Sequence, residues 1–271
     1  MILAHRNHPS IIMWSLGNEI HDFGSAQGLR NGTKLIERAK SLDPTRFTNT
    51  AVYWFPNIGG PLHWKWEGAD DLMSKFDVVG YNYAINRYDE DHQRVPARIM
   101  LATESYPRDL FNSWASVTDR SYLLGDFVWT GIDYLGESGI GRYHLPDDKI
   151  YFHTDPRHFP YHGAYCGDID ITGFRKPISY ARNIVWDRGE TLYTSIIEMT
   201  PDGRPMHVGD WGVVPSRASW TWPGFEGKTL HVQVYSRYDA VRLYLNDTLI
   251  GEKPTGVAQH FKAVFLSLIH I

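Results

Sequence analysis

Ser10-Ile11-Ile12-Met13-Trp14-Ser15-Leu16-Gly17-Asn18-Glu19 is the stretch on which the fold turns. Residues 10–17 (SIIMWSLG) form a nearly continuous apolar run that ends in Gly17-Asn18-Glu19. A short continuous run suits a strand buried on both faces, as in a parallel sheet. Such a strand needs a crossover to cover it, and the next residues supply one. Leu29, Leu35, Ile36, Ala39 and Leu42 recur at helical spacing from about Ser25 to Leu42, and Asp43-Pro44 stops the helix.

The same grammar repeats downstream. Phe47–Val52 reads as a strand, followed by an aromatic loop holding Trp54, Phe55, Trp64 and Trp66. Phe76–Tyr81, Arg98–Thr103 (ending at Glu104) and Leu123–Trp129 are further strand-like runs. Strands separated by long segments predict α/β architecture with polar or aromatic residues at the strand ends. In a (β/α)8 barrel those C-terminal ends build the active site. Gly131 to Gly173 reads as loop over the barrel mouth, and Pro177 opens a helix through about Asp187.

From about Glu190 the pattern changes to short alternating strands. Leu230, Val232 and Val234 share one face, as do Val241, Leu243 and Leu245, and Asn246-Asp247 fits a hairpin turn before Leu249. This predicts a β-sandwich module of immunoglobulin-like type. The expected organisation is therefore residues 1–189 as barrel and residues 190–271 as sandwich.

Composition narrows the function classes. Hydrophobic residues make up 42% of the 271, enough for a sizeable core, and no long apolar run suggests a membrane span. A net charge of -4 gives no reason to expect nucleic acid or an anionic membrane as partner. Aromatic residues reach 14%, with 10 Trp and 16 Tyr. Most suit a core, and a few suit flat platforms for sugar rings. Cys166 is the single cysteine, so no disulfide forms within the chain, and the compartment stays open.

Retaining hydrolysis of a glycosidic bond needs two carboxyl groups about 5–5.5 Å apart, one attacking the anomeric carbon and the other protonating the leaving oxygen. Each must project from a rigid strand end, and the two need not be near in sequence; Glu19 and Glu104, each at the end of an apolar strand, fit that description. A lone glutamate after a strand is more often a cap or a surface residue, so context decides. No G-x-S-x-G elbow occurs, which disfavours a serine hydrolase.

Asn7 to Glu19 (NHPSIIMWSLGNE) resembles the acid/base motif of glycoside hydrolase family 2, which includes β-galactosidases, β-glucuronidases and β-mannosidases. Ala102-Thr103-Glu104-Ser105 resembles the nucleophile strand of that family, and Gly125 to Tyr134 (GDFVWTGIDY) its last barrel strand. Arg175-Lys176-Pro177 and Trp186 match the segment leaving the barrel. The motifs occur in family order from about Arg6 to Trp186. The resemblance implies Glu19 as acid/base, Glu104 as nucleophile, Asn18 at the sugar 2-hydroxyl and Trp129 packed beside the sugar. It also implies a tyrosine that hydrogen-bonds the nucleophile; Tyr83 is the choice, with Tyr81 nearly as good.

Glucuronidases of the family grip the sugar carboxylate with an Asn-x-Lys motif. The corresponding stretch here, Cys166-Gly167-Asp168-Ile169-Asp170, brings negative charge and no lysine, which favours a neutral sugar. Trp220, Trp222, Pro223 and Val234-Tyr235-Ser236 resemble the sandwich module of family β-galactosidases. The expectation is a retaining exo-β-galactosidase. The alternatives are a β-mannosidase or other family 2 glycosidase, or a non-catalytic carbohydrate-binding fragment.

No cofactor is expected, although some family members bind Mg2+ near the acid/base with ligands that would precede this chain. His158 and His162, with His153 nearby, could suggest a metal, but Pro156 and Pro160 argue against one helix presenting them together. The expected partners are glycosides, with homo-oligomerisation of a longer parent left open.

The resemblance begins at the fourth of eight barrel strands, so strands 4–8 are expected. Met1 then reads as an internal methionine, and Leu266 to Ile271 resembles a translated sequencing adapter. Such a chain, truncated at both ends, is expected to be inactive by itself.

Overall fold

The computed structural model describes residues 1–53, 65–145, 147–148, 161–200 and 202–268. They pack as two compact units, Met1–Ser105 with Ala115–Phe127 and Tyr106–Trp114 with Val128–Ile271. The boundary expected between residues 189 and 190 thus falls inside the second unit.

The first unit alternates helices and strands. A short α1 (Ile2–His5) precedes β1 (Met13–Asn18), α2 (Ala26–Leu42), β2 (Phe47–Tyr53), α3 (Asp70–Met73), β3 (Val78–Asn82), α4 (Tyr88–Arg94) and β4 (Met100–Ser105). α5 (Leu110–Asp119), whose first half is counted with the second unit, leads to β5 (Leu123–Val128). The strands form one sheet in the order β1-β2-β3-β4-β5, and the pairs β1–β2, β2–β3 and β3–β4 are parallel. This is the partial α/β barrel predicted from the apolar runs, with strand bounds shifted by up to three residues.

Its core gathers Phe23, Val52, Trp66, Leu72, Val79, Tyr81, Tyr88 and Met100, with Leu29 and Ile36 of α2 packed on it. Ser25 caps α2 by accepting from the Gly28 amide at 3.0 Å. Trp66 of the expected aromatic loop is a core residue, its Nε1 donating to both oxygens of buried Asp91 at 3.0 and 2.9 Å. Trp54, Phe55 and Trp64 lie outside the described residues.

Two irregularities in the sheet matter for the site. The β1–β2 register slips between Ser15 and Asn18, which face Asn49 and Ala51. The β3–β4 register slips in the same manner, Tyr81 facing Ala102 while Asn82 faces Glu104. Each slip inserts one residue just before a glutamate, and a bulge of this kind re-aims the side chains beyond it.

The second unit holds the short strands β6 (Tyr134–Leu135), β7 (Tyr143–His144) and β8 (Gly163–Ala164), then α6 (Pro177–Trp186). Its β module comprises β9 (Leu192–Ile197), β10 (His207–Val208), β11 (Ser216–Arg217), β12 (Thr229–Ser236), β13 (Ala240–Leu245), β14 (Thr248–Pro254) and β15 (Lys262–Leu268). A sheet β11-β9-β12-β15 packs against the β13–β14 hairpin through Ile196, Leu230, Val232, Val234, Val241 and Phe265. Leu230, Val232 and Val234 point inward together, as alternation predicts. Asn246, at φ 49, turns the hairpin. The stretch predicted as loop from Gly131 carries β6 to β8, two-residue strands too short to leave a periodic signature.

Candidate active site

The sequence ends β1 with Asn18 and Glu19, β3 with Asn82 and Tyr83, and β4 with Glu104 and Ser105. Because these strands are parallel, their C-terminal ends converge on one edge of the sheet. The Glu19 amide donates to the Ala51 carbonyl at 3.0 Å, fixing the turn out of β1 against β2.

The end of β3 reaches both glutamates. Asn82 Nδ2 donates to Glu19 Oε1 at 2.9 Å and to Asn18 Oδ1 at 3.1 Å. Asn82 Oδ1 in turn accepts from the Thr103 hydroxyl at 2.6 Å, so the amide is held from both ends. The next residue serves the other carboxylate: the Tyr83 hydroxyl donates to Glu104 Oε2 at 2.6 Å, and its amide donates to the Glu104 carbonyl at 2.8 Å. A hydroxyl that close to a carboxylate oxygen is a strong, charge-assisted bond.

Both Glu19, at φ 51, and Tyr83, at φ 55, adopt left-handed backbone that side-chain-bearing residues rarely tolerate. Strain of this kind persists where surrounding contacts fix it, and it gathers at functional sites.

Tyr81, the second candidate to serve the nucleophile, points the other way. Its buried hydroxyl donates to Asp91 Oδ2 at 2.7 Å, and Arg98 closes the network at 2.9 Å from the same oxygen. Burial, with Asp91 alongside, raises the Tyr81 pKa. Residues two apart share a face in a regular strand, but β3 ends at Asn82 and the left-handed backbone of Tyr83 turns that side chain to Glu104, while Tyr81 stays packed on Trp66 and Tyr88.

Residues to which the sequence reading gave no role surround the acid/base candidate. Tyr53 ends β2, and its hydroxyl lies 3.3 Å from His21 Nδ1. Its pKa is raised, first by burial and then by the charge of Glu19. The usable signal was a polar-tipped aromatic closing an apolar strand. Asn82 and Thr103 were quoted within motifs without a role, because nothing in one chain says which strand-end amide bridges to a neighbour.

Trp129 belongs to the second unit, where its Nε1 donates to the Tyr134 hydroxyl at 3.2 Å and the two rings meet edge to face. In the stretch read as acidic, the charges are internally matched. Asp168 takes Arg182 Nε at 2.5 Å and NH2 at 3.0 Å, and Asp170 binds the amides of Thr172 and Phe174 in its own turn. Repulsion by these aspartates is therefore a weaker argument against a uronic acid than the bare sequence suggested. Cys166 is buried, and burial with the charge of Asp133 pushes its thiol up to about 12, so it is not a nucleophile.

Among the described residues no group of three or more His, Cys, Asp or Glu is arranged to hold a metal ion. His153 and His158 lie outside those residues.

Comparison with known proteins accords with this geometry. Residues 1–119 match the family model described as glycosyl hydrolases family 2, TIM barrel domain. A crystal structure of a glycosyl hydrolase family 2 member from Bacteroides cellulosilyticus superposes with TM-score 0.85 at 34% identity, covering 98% of this chain and 33% of that one. The chain belongs to glycoside hydrolase family 2. Within this family 2 chain, residues 227–269 match a domain of unknown function (DUF4982). A β-galactosidase of Bacteroides ovatus is 25% identical over 71% of this chain and 28% of its own length. A putative β-glucuronidase of Formosa agariphila is 25% identical over 94% of this chain and 25% of its own. The family 2 chain thus spans between a quarter and a third of the length of these relatives.

Proposed function

We propose that these residues form the acid/base and nucleophile side of a retaining exo-β-glycosidase acting on terminal neutral sugars, β-galactosides foremost. The observation that carries the reading is that consecutive residues of one strand end, Asn82 and Tyr83, hold the two carboxyl groups, Asn82 on Glu19 and Tyr83 on Glu104. Two carboxyl groups held by adjacent residues of one strand end suit attack on an anomeric carbon by one and proton delivery to the leaving oxygen by the other.

In the first step Glu104 attacks the anomeric carbon as Glu19 gives its proton to the leaving oxygen, and a covalent glycosyl-enzyme forms. In the second, Glu19 takes a proton from water, which attacks the same carbon and releases Glu104. The Tyr83 hydroxyl keeps Oε2 of Glu104 fixed and so orients the carboxylate for attack. Asn18, held through Asn82, is offered to the sugar 2-hydroxyl. A place for Trp129 beside the sugar rests on the family resemblance alone.

The relatives divide between galactosidases and glucuronidases, so the sugar rests on charge. The cations of the exit segment are each occupied: Lys176 by Asp133 at 2.7 Å, Arg182 by Asp168 and Arg175 by Glu190 at 2.9 Å. None is spare for a sugar carboxylate, which supports a neutral substrate. Mg2+ in the complete polypeptide stays a proposal that would draw on residues other than those described.

A panel of nitrophenyl β-glycosides assayed with the complete polypeptide tests the reading. The galactoside should be hydrolysed fastest, and Glu104→Gln should abolish turnover of every substrate. Glu19→Ala should spare glycosylation from good leaving groups, with azide restoring turnover. Retained activity in Glu104→Gln would overturn the assignment.

A further inference from the structure

We propose that a cavity of about 620 Å3 in the second unit binds saccharides that carry an anionic group, through Lys262 and a set of aromatic rings around it. The choice of a saccharide over another acid rests on the glycosidase reading; the charge preference does not.

The cavity is lined by Tyr143, Tyr165, Phe174, Tyr193, Tyr235 and Lys262 among others. Aromatic faces suit sugar rings, whose axial C–H groups present apolar patches, and rigid rings lose little entropy on binding. These rings are braced. Tyr193 stacks on Tyr180 with centroids 4.1 Å apart, and Tyr165 meets Tyr161 edge to face at 5.0 Å. Phe174 is 68% exposed and Tyr165 46%, so both offer open surface.

The charges point to an anion. Four cationic side chains line the cavity, and three already have acids: Arg108 with Asp210 at 2.9 Å, Lys176 with Asp133 at 2.7 Å and Arg217 with Glu198 at 2.6 Å. Among the described residues no carboxylate pairs with Lys262. Its ammonium lies 5.4 Å from the centroid of the Tyr235 ring, and burial lowers its pKa with no opposing charge to restore it. A partly buried ammonium without a counter-charge is unfavourable, and a bound carboxylate or sulfate would supply one.

The test uses the complete polypeptide carrying Glu104→Gln, so that no substrate is consumed. Calorimetric titration compares a neutral oligosaccharide with its uronate-bearing and sulfated counterparts on the same backbone. At least one acidic form should bind more tightly than the neutral one; which form does so identifies the anion. Lys262→Met should weaken the acidic ligand by about tenfold while leaving the neutral one unchanged. Lys262→Arg should restore most of the difference, and Phe174→Ala should weaken all three. Equal binding of acidic and neutral forms, or no effect of Lys262→Met, would overturn the proposal. Nitrophenyl glycoside turnover in a Lys262→Met protein with Glu104 intact should be unchanged, which separates this outcome from failure of the catalytic assignment.

Discussion

Tyr83 touches Glu104 twice, by its hydroxyl and by its amide, and only the first contact can be removed by a side-chain change. Tyr83→Phe keeps the ring and the backbone bond while losing the hydroxyl, so kcat is expected to fall about 10- to 100-fold with little change in thermal midpoint. An unchanged kcat would mean that the hydroxyl does not orient the nucleophile. At this scale the two glutamates were legible because each ends an apolar run, where a charged residue has no packing role. The choice between Tyr81 and Tyr83 was open, since residues two apart share a face in a regular strand and the sequence does not show that β3 ends at Asn82, with Tyr83 turned aside in left-handed backbone. Asn82 was not legible, for its contacts to Glu19 and Thr103 come from neighbouring strands.

The bulges of β1 and β4 place both glutamates, and the space around β3 leaves little tolerance there. A Cβ on Gly80 would lie 2.5 Å from the Thr50 carbonyl oxygen and 2.5 Å from Thr103 Cγ2. The backbone oxygen cannot rotate away, and displaced Thr103 would release Asn82, which holds Glu19. Gly80→Ala is therefore expected to cost about 1–3 kcal/mol of stability and to lower kcat; denaturant midpoints and initial rates check both. The carboxylates bracing this sheet also set its acid limit. Hydrogen bonds from Thr45 and Trp14 hold Asp43 well below the usual carboxylate range. Asp70, raised by burial, is carried lower overall by Arg94 and Arg98, and Asp77 by Lys40 and Thr48. A depressed folded pKa gives stability that is complete above about pH 4 and lost as pH falls further. Urea midpoints at pH 5, 4 and 3 should show that loss, and Asp43→Asn should flatten it. A wild-type midpoint constant down to pH 3 would contradict the assignment. The strands were legible in the sequence to within about three residues, as their apolar runs are continuous. The bulges were not, because one inserted residue leaves hydrophobicity unaltered.

At the scale of the molecule, the described sheet has five strands, with β1 and β5 at its edges. A closed (β/α)8 barrel needs every strand paired in register. Residues 1–271 expressed alone are accordingly expected to hydrolyse no nitrophenyl galactoside, whereas the same residues within a complete barrel should do so. Turnover by the isolated chain would refute this. The α/β and all-β halves were legible from the switch between buried and alternating strands. The grouping of residues 128–189 with the sandwich was not, because the packing of Ala181, Ile184 and Val185 on Tyr193, Tyr235 and Phe261 arises from folding rather than from any local pattern.

The double grip of Tyr83 on Glu104 also bears on inhibitor design. A carboxylate anchored at one oxygen and at its own carbonyl has little freedom to swing, so it meets an incoming electrophile already aimed. Cyclic epoxide reagents shaped like the substrate should label it in a single kinetic phase, with no slow rearrangement before the bond forms.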